Sequence, residues 1–97
     1  MDIPPRDDDG YLLDMNAWTP DIGRAMAEAD GYLLDDAKWA HIVKAREYFE
    51  ESGSVPPIRI IAKYVGEDKK DLFDLWATGP MKPITKYGGL PKPTGCV

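Results

Sequence analysis

Apolar residues recur at helical spacing between residues 19 and 87, in short stripes cut apart by proline and glycine. Ile22, Ala25, Met26 and Ala29 follow the i, i+3, i+4, i+7 pattern of one helical face. Thr19 is the expected cap of that helix, Pro20 fits its first turn, and Asp30-Gly31 ends it. Asp35 caps a second helix, with Leu34 and Trp39 at the two positions of a hydrophobic staple. Its stripe continues through Ile42, Val43 and Phe49 and stops at Glu51-Ser52-Gly53. Pro56-Pro57 opens a third helix, buried through Ile58, Ile61, Ala62 and Val65 and closed by Gly66. A fourth starts near Asp68, with Leu72, Leu75 and Trp76 on one face and Phe73 beside it. Thr78-Gly79-Pro80 breaks it, and a fifth is expected over 80–87, docked by Ile84 and Tyr87. The pattern predicts a mainly α domain, a compact bundle of four to five short helices.

The two ends lack this period. Residues 1–18 are acidic and irregular, with Asp7-Asp8-Asp9-Gly10 as a turn and Tyr11-Leu12-Leu13 as a short strand. After Tyr87, Gly88-Gly89 reads as a hinge, and Pro91 and Pro93 stiffen the chain beyond it. The expected organisation is one domain over 1–97: an N-terminal hairpin or irregular part (1–18), a helical body (19–87) and a mobile C-terminal arm (88–97). Eight residues, Gly89 to Cys96, reach at most ~28 Å when extended.

Ninety-seven residues suffice for one modest core. The charge changes the functional picture more. Residues 1–51 carry 13 acids and 5 bases, and residues 52–97 carry 4 acids and 7 bases, for a net charge of −5. Phosphate contacts need clustered Lys and Arg, so direct nucleic-acid binding is not expected. No apolar run approaches the ~20 residues of a membrane span, and the start of the chain does not read as a signal peptide. With one cysteine there is no disulfide framework, and a soluble, cytoplasmic protein is expected.

Few residues carry candidate chemistry. The three aspartates do not have the spacing of a calcium loop, and neither metal nor cofactor is expected. His41, the one histidine, falls away from the stripe of its helix and reads as a surface or partly packed side chain rather than a base or ligand. Arg46 lies on the stripe, where a guanidinium must find acceptors; it ties down backbone or points into a cleft, and the former is favoured. Cys96 is the candidate reactive group, next to Val97. The carboxylate beyond Val97 disfavours the thiolate, which suits a carrier activated inside a partner's site better than an enzyme that must supply its own base.

The ending Gly89-Leu90-Pro91-Lys92-Pro93-Thr94-Gly95-Cys96-Val97 resembles the signature of the DsrC/TusE family. Further matches are Gly10-Tyr11-Leu12, Trp18, Trp39, Arg46-Glu47-Tyr48-Phe49, Pro57-Ile58-Arg59 and Gly79-Pro80. The resemblance implies a helical bundle with a small N-terminal β-hairpin, here reduced, and a flexible C-terminal arm. It implies that Cys96 bears a persulfide or mixed disulfide, with no cofactor. Implied partners are a TusBCD/DsrEFH-like sulfurtransferase donor and a tRNA thiouridylase or sulfite-reductase-type acceptor, without direct nucleic-acid or membrane contact. Arg46, Arg59 and Lys92 become candidates to steady the arm, and Gly88 and Gly89 its hinge.

The departures are specific. The DsrC branch has a second cysteine about ten residues before the last, and here Thr85 takes that place. One thiol makes no intramolecular disulfide, which points to the TusE branch and 2-thiouridine formation in tRNA, or to a related sulfur-trafficking route. The N-terminal region is short and carries Pro4-Pro5, so the family's first strand is expected to be missing. The segment between Val65 and Gly79 is also shorter than in the family. The leading expectation is a sulfurtransferase-type carrier rather than a stand-alone catalyst. The alternatives are an interaction or regulatory protein of dissimilatory sulfur metabolism that docks through the arm, and an enzyme in which His41 or an arginine activates Cys96.

Overall fold

Each helix begins at a capping side chain or a proline, and two of them end at a left-handed glycine. The computed structural model describes residues 2–76 and 79–92. Helix α1 is Pro20–Ala29, and the Thr19 hydroxyl accepts the Ile22 N–H at 3.1 Å. Helix α2 is Asp36–Ser52, started by Asp35 accepting the Lys38 N–H at 2.9 Å and ended by Gly53. Helix α3 is Ile58–Val65, between Pro57 and Gly66. Helix α4 is Lys69–Leu75, where the Asp71 side chain accepts the Asp68 N–H at 3.4 Å. Helix α5 is Met81–Tyr87, following Pro80. A single 3-10 turn, Met15–Ala17, precedes α1. The fold is mainly α, with five α-helices among the described residues, as the hydrophobic spacing predicts. Among the described residues no helix is long and apolar enough to cross a membrane.

Helix α2 is the element on which the others close. It packs against α3 and against α5, while α1 lies on α5 and α4 on α3. The core it encloses contains Met26, Ile42, Ala45, Ile61, Leu72, Trp76 and Ile84, each almost fully removed from water. The buried positions of α2, His41, Ile42 and Ala45, form one face, rotated from the predicted stripe of Trp39, Ile42, Val43 and Phe49. His41 is the clearest correction to the sequence reading: it is 1 % exposed, not a surface residue. Its Nδ1 accepts the Trp76 indole N–H at 2.9 Å, and its Nε2 lies 3.4 Å from Glu67 Oε1. Those partners make burial of the imidazole tolerable. Conversely Val43, expected on the stripe, is exposed, as is Phe73 on α4. On α1 the buried face is Gly23, Met26 and Ala27, rotated from the predicted stripe toward α5.

The N-terminal part is held by one antiparallel bridge, Arg6 to Leu12, closed by a turn at Asp7-Asp8-Asp9-Gly10. The expected hairpin is thus reduced to a single bridge, and among the described residues no longer strand forms. Leu12 joins the core from this turn. Arg6 anchors the turn to the end of α1 through two bonds to the Asp30 carboxylate, at 3.1 and 3.2 Å.

Candidate functional site: the root of the C-terminal segment

Where α5 ends, the backbone must turn. Gly88 N–H bonds to Ile84 O at 3.0 Å and Leu90 N–H to Thr85 O at 2.9 Å. This 6→1 closure requires a left-handed residue between, and Gly89 supplies it at φ +65°. The same glycine is covered by the Trp18 ring, which occupies the space a Cβ would need. Gly88, Gly89 and Leu90 are buried, so the two glycines expected as a hinge form a packed turn.

Trp18 organises this turn. Its indole N–H donates to Tyr87 O at 2.7 Å, and its ring is stacked on Trp39, with centroids 6.3 Å apart. The Arg46 guanidinium lies 3.9 Å above the Trp18 ring and donates to Gly88 O. One arginine therefore closes a carbonyl of the turn and covers the indole that covers the glycine. Burial lowers its proton affinity and Glu50, 3.7 Å away, partly restores it. Gly23 of α1 makes the approach possible, because a Cβ there would meet Trp18 Nε1 at 2.8 Å and press on Tyr87 O. Trp18, Trp39, Val43 and Arg46 also line a shallow groove beside the turn, rimmed by Glu47 and Glu50.

Lys92 is held from the other side. Its Nζ is 2.7 Å from Asp9 and 3.2 Å from Asp7. Two carboxylates of the aspartate run, read from sequence as a turn, thus pair with Lys92. Asp9 and then Asp7 raise the proton affinity of Lys92. Desolvation opposes ionisation of Asp7, but the Tyr11 N–H, Lys92 and the Asp9 N–H outweigh it and hold its carboxyl below the usual range. Arg59 is exposed in the first turn of α3, and among the described residues it makes no hydrogen bond or ion pair with the root. Cys96 lies outside the described residues.

Thr85 sits under this layer, fully buried on α5. Its hydroxyl donates to Met81 O at 2.8 Å and accepts from the Tyr11 hydroxyl, also at 2.8 Å. It ties the N-terminal turn to α5 and offers no nucleophile. Sequence reasoning missed Tyr11, Trp18, Gly23 and Tyr87 as parts of one assembly. Trp18 and Tyr11 stood out only within a motif, and nothing local marks Gly23.

Comparison with known proteins decides the family. The family model described as DsrC like protein matches residues 4–97. This chain belongs to the DsrC/TusE family. It is 37% identical to the sulfurtransferase TusE homolog of Haemophilus influenzae, over 94% of this chain and 90% of that protein. It is 36% identical to the gamma subunit of dissimilatory-type sulfite reductase of Nitratidesulfovibrio vulgaris, over 94% of this chain and 88% of that one. The NMR structure of Allochromatium vinosum DsrC superposes with a TM-score of 0.81 at 38% identity, covering 95% of this chain and 88% of that chain. The assembly around Trp18 and Arg46 holds the turn at Gly88-Gly89, which precedes the Cys96 ending in sequence.

Proposed function

We propose that this protein is a sulfur-relay carrier in which Cys96 accepts and donates persulfide sulfur. The observation that carries the reading is that the family match runs through residue 97 and so includes the Cys96 ending. The packed, multiply bonded root supports it, because a carrier must present a short reactive end from a fixed place on its body. In the transfer step the Cys96 thiolate attacks the outer sulfur of a donor R–S–SH. The donor S–S bond breaks, its electron pair leaves on R–S⁻, and Cys96–S–SH forms with the proton retained on the outer sulfur. Like bonds are exchanged without net oxidation, so the direction is set by supply and consumption. The body contributes positioning: Arg46, Lys92 and the Gly88-Gly89 turn fix where the segment starts.

The finer assignment is TusE-like. The chain has one cysteine, and Thr85 stands where the two-thiol branch has its second. A handover between partner proteins fits one thiol, with a TusBCD/DsrEFH-like donor and a tRNA thiouridylase as acceptor, in the cytoplasm. A second reading is favoured by the near-equal identity to the sulfite reductase gamma subunit: a protein that docks a sulfite-reductase-type partner through its C-terminal segment.

The test is incubation of wild type and Cys96→Ser with a persulfide donor, followed by intact-mass spectrometry. Wild type should gain one sulfur, lost again on reduction, and Cys96→Ser should gain none. No gain in wild type, or equal gain in both, sinks the carrier reading. Partner capture unaffected by Cys96→Ser would favour the docking reading.

A further inference from the structure

The two ion pairs of Lys92 deepen the carrier reading, on which this inference rests. We propose that Asp7 and Asp9 form a releasable electrostatic latch on Lys92 that sets how far the Cys96 thiol can range from the body. Both aspartates act through Lys92, as positioning residues rather than as reacting groups.

Three features carry the proposal. The Asp7 carboxylate divides its work: Oδ1 accepts the Asp9 N–H at 2.9 Å and the Tyr11 N–H at 3.0 Å, building the turn, while Oδ2 faces Lys92 at 3.2 Å. The turn is itself anchored to the core side of the root, because Tyr11 bonds Thr85 on α5 and lies under Lys92, whose Nζ is 5.7 Å from the ring centroid. Two carboxylates on one ammonium leave the latch net negative; Arg6 and Lys86 line the same pocket, but among the described residues the ion pairs of Asp7 and Asp9 are with Lys92. Side-chain exposures of 49% for Lys92 and 66% for Asp9 keep the latch accessible to water and salt, and so easily opened.

The consequence is geometric. With Lys92 held, Cys96 lies four residues along the chain from that anchor, a span of at most ~14 Å. With the latch open, the anchor is the buried Leu90, six residues from Cys96, a span of at most ~21 Å. The volume the thiol explores differs by about threefold, and its effective concentration at a site near the latch changes inversely. A partner that offers Lys92 a different carboxylate, or Asp7 and Asp9 a different cation, would lengthen the tether as it binds.

The experiment attaches a nitroxide to Cys96 and reads paramagnetic broadening of backbone amides, so it needs no sulfur donor and fails independently of persulfide chemistry. Wild type at low salt should show broadening concentrated on the Asp7–Tyr11 turn. Lys92→Met and Asp7→Asn/Asp9→Asn should each lower it there by about two- to threefold and spread it over the body, and 0.5 M NaCl (roughly a 4 Å screening length) should move wild type the same way. Lys92→Arg should retain the wild-type pattern. The latch is overturned if Lys92→Met matches wild type, or if Lys92→Arg behaves like Lys92→Met. Unchanged amide shifts in α1–α5 would show that the variants fold.

Discussion

A methyl group at Gly23 would press on the Tyr87 carbonyl, which is backbone and has little room to give. At Gly89 it would meet the Trp18 ring and also face a left-handed backbone at φ +65°. We expect Gly23→Ala to destabilise by about 1–3 kcal/mol, the usual range for overpacking a close contact. Gly89→Ala should cost about 1–2 kcal/mol from its backbone alone, and more where Trp18 is displaced. Urea denaturation measures both, and tryptophan fluorescence should report Trp18 moving in Gly89→Ala. Equal stability of both variants with wild type would contradict the packed turn. The same residue-scale logic separates Arg46 from Arg59. Arg46 has an aromatic face and a carbonyl to satisfy it, whereas Arg59 faces water.

At the scale of elements, α2 shows why one stripe is an incomplete guide. It packs against both α3 and α5, and its buried face, His41, Ile42 and Ala45, is rotated from the apolar stripe, so a polar residue off that stripe is inside. His41 is inside because Trp76, at the end of α4, donates to it at 2.9 Å. That bond requires an unprotonated Nδ1, which places the ring proton on Nε2, toward Glu67. Trp76→Phe would remove the donor and leave a buried acceptor unsatisfied, a loss of about 1–3 kcal/mol. A double variant with His41→Leu should lose less than the sum of the single variants, with a coupling of at least about 0.5 kcal/mol. Additive losses in the denaturation series would mean that the bond contributes nothing as a pair.

Across the molecule, carboxylates join distant parts of the chain, Asp30 to Arg6 and Tyr87, and Asp7 and Asp9 to Lys92, so acid should weaken it. Asp30 is held below its usual value first by Arg6 and then by the Tyr87 hydroxyl, which donates to it at 2.9 Å. The Tyr87 phenol is pushed up, first by burial and then by Asp30, and so keeps its proton. A depressed carboxylate contributes stability that is present above the unfolded value of 3.8 and is lost as pH falls through the lower folded value. Asp7 has the same sign. The urea midpoint should therefore hold between pH 6 and 5 and fall below about pH 4. Asp30→Asn should start lower and fall less; a parallel fall in both would remove Asp30 from the account.

Local chemistry alone determined much of this protein. Thr19, Asp35, Gly53, Pro57, Gly66 and Pro80 act on backbone groups within a few residues of themselves, so helix boundaries can be read from neighbours in the chain. The C-terminal motif likewise named the family, because its residues are contiguous. Tertiary structure decided the rest. The environment of His41 depends on a tryptophan 35 positions away, and that of Trp18 on a carbonyl 69 positions away. The aspartates gained a role only when the fold brought Lys92 to them. Such pairings are set by how the helices close on α2, and the periodicity of a single element carries no record of them.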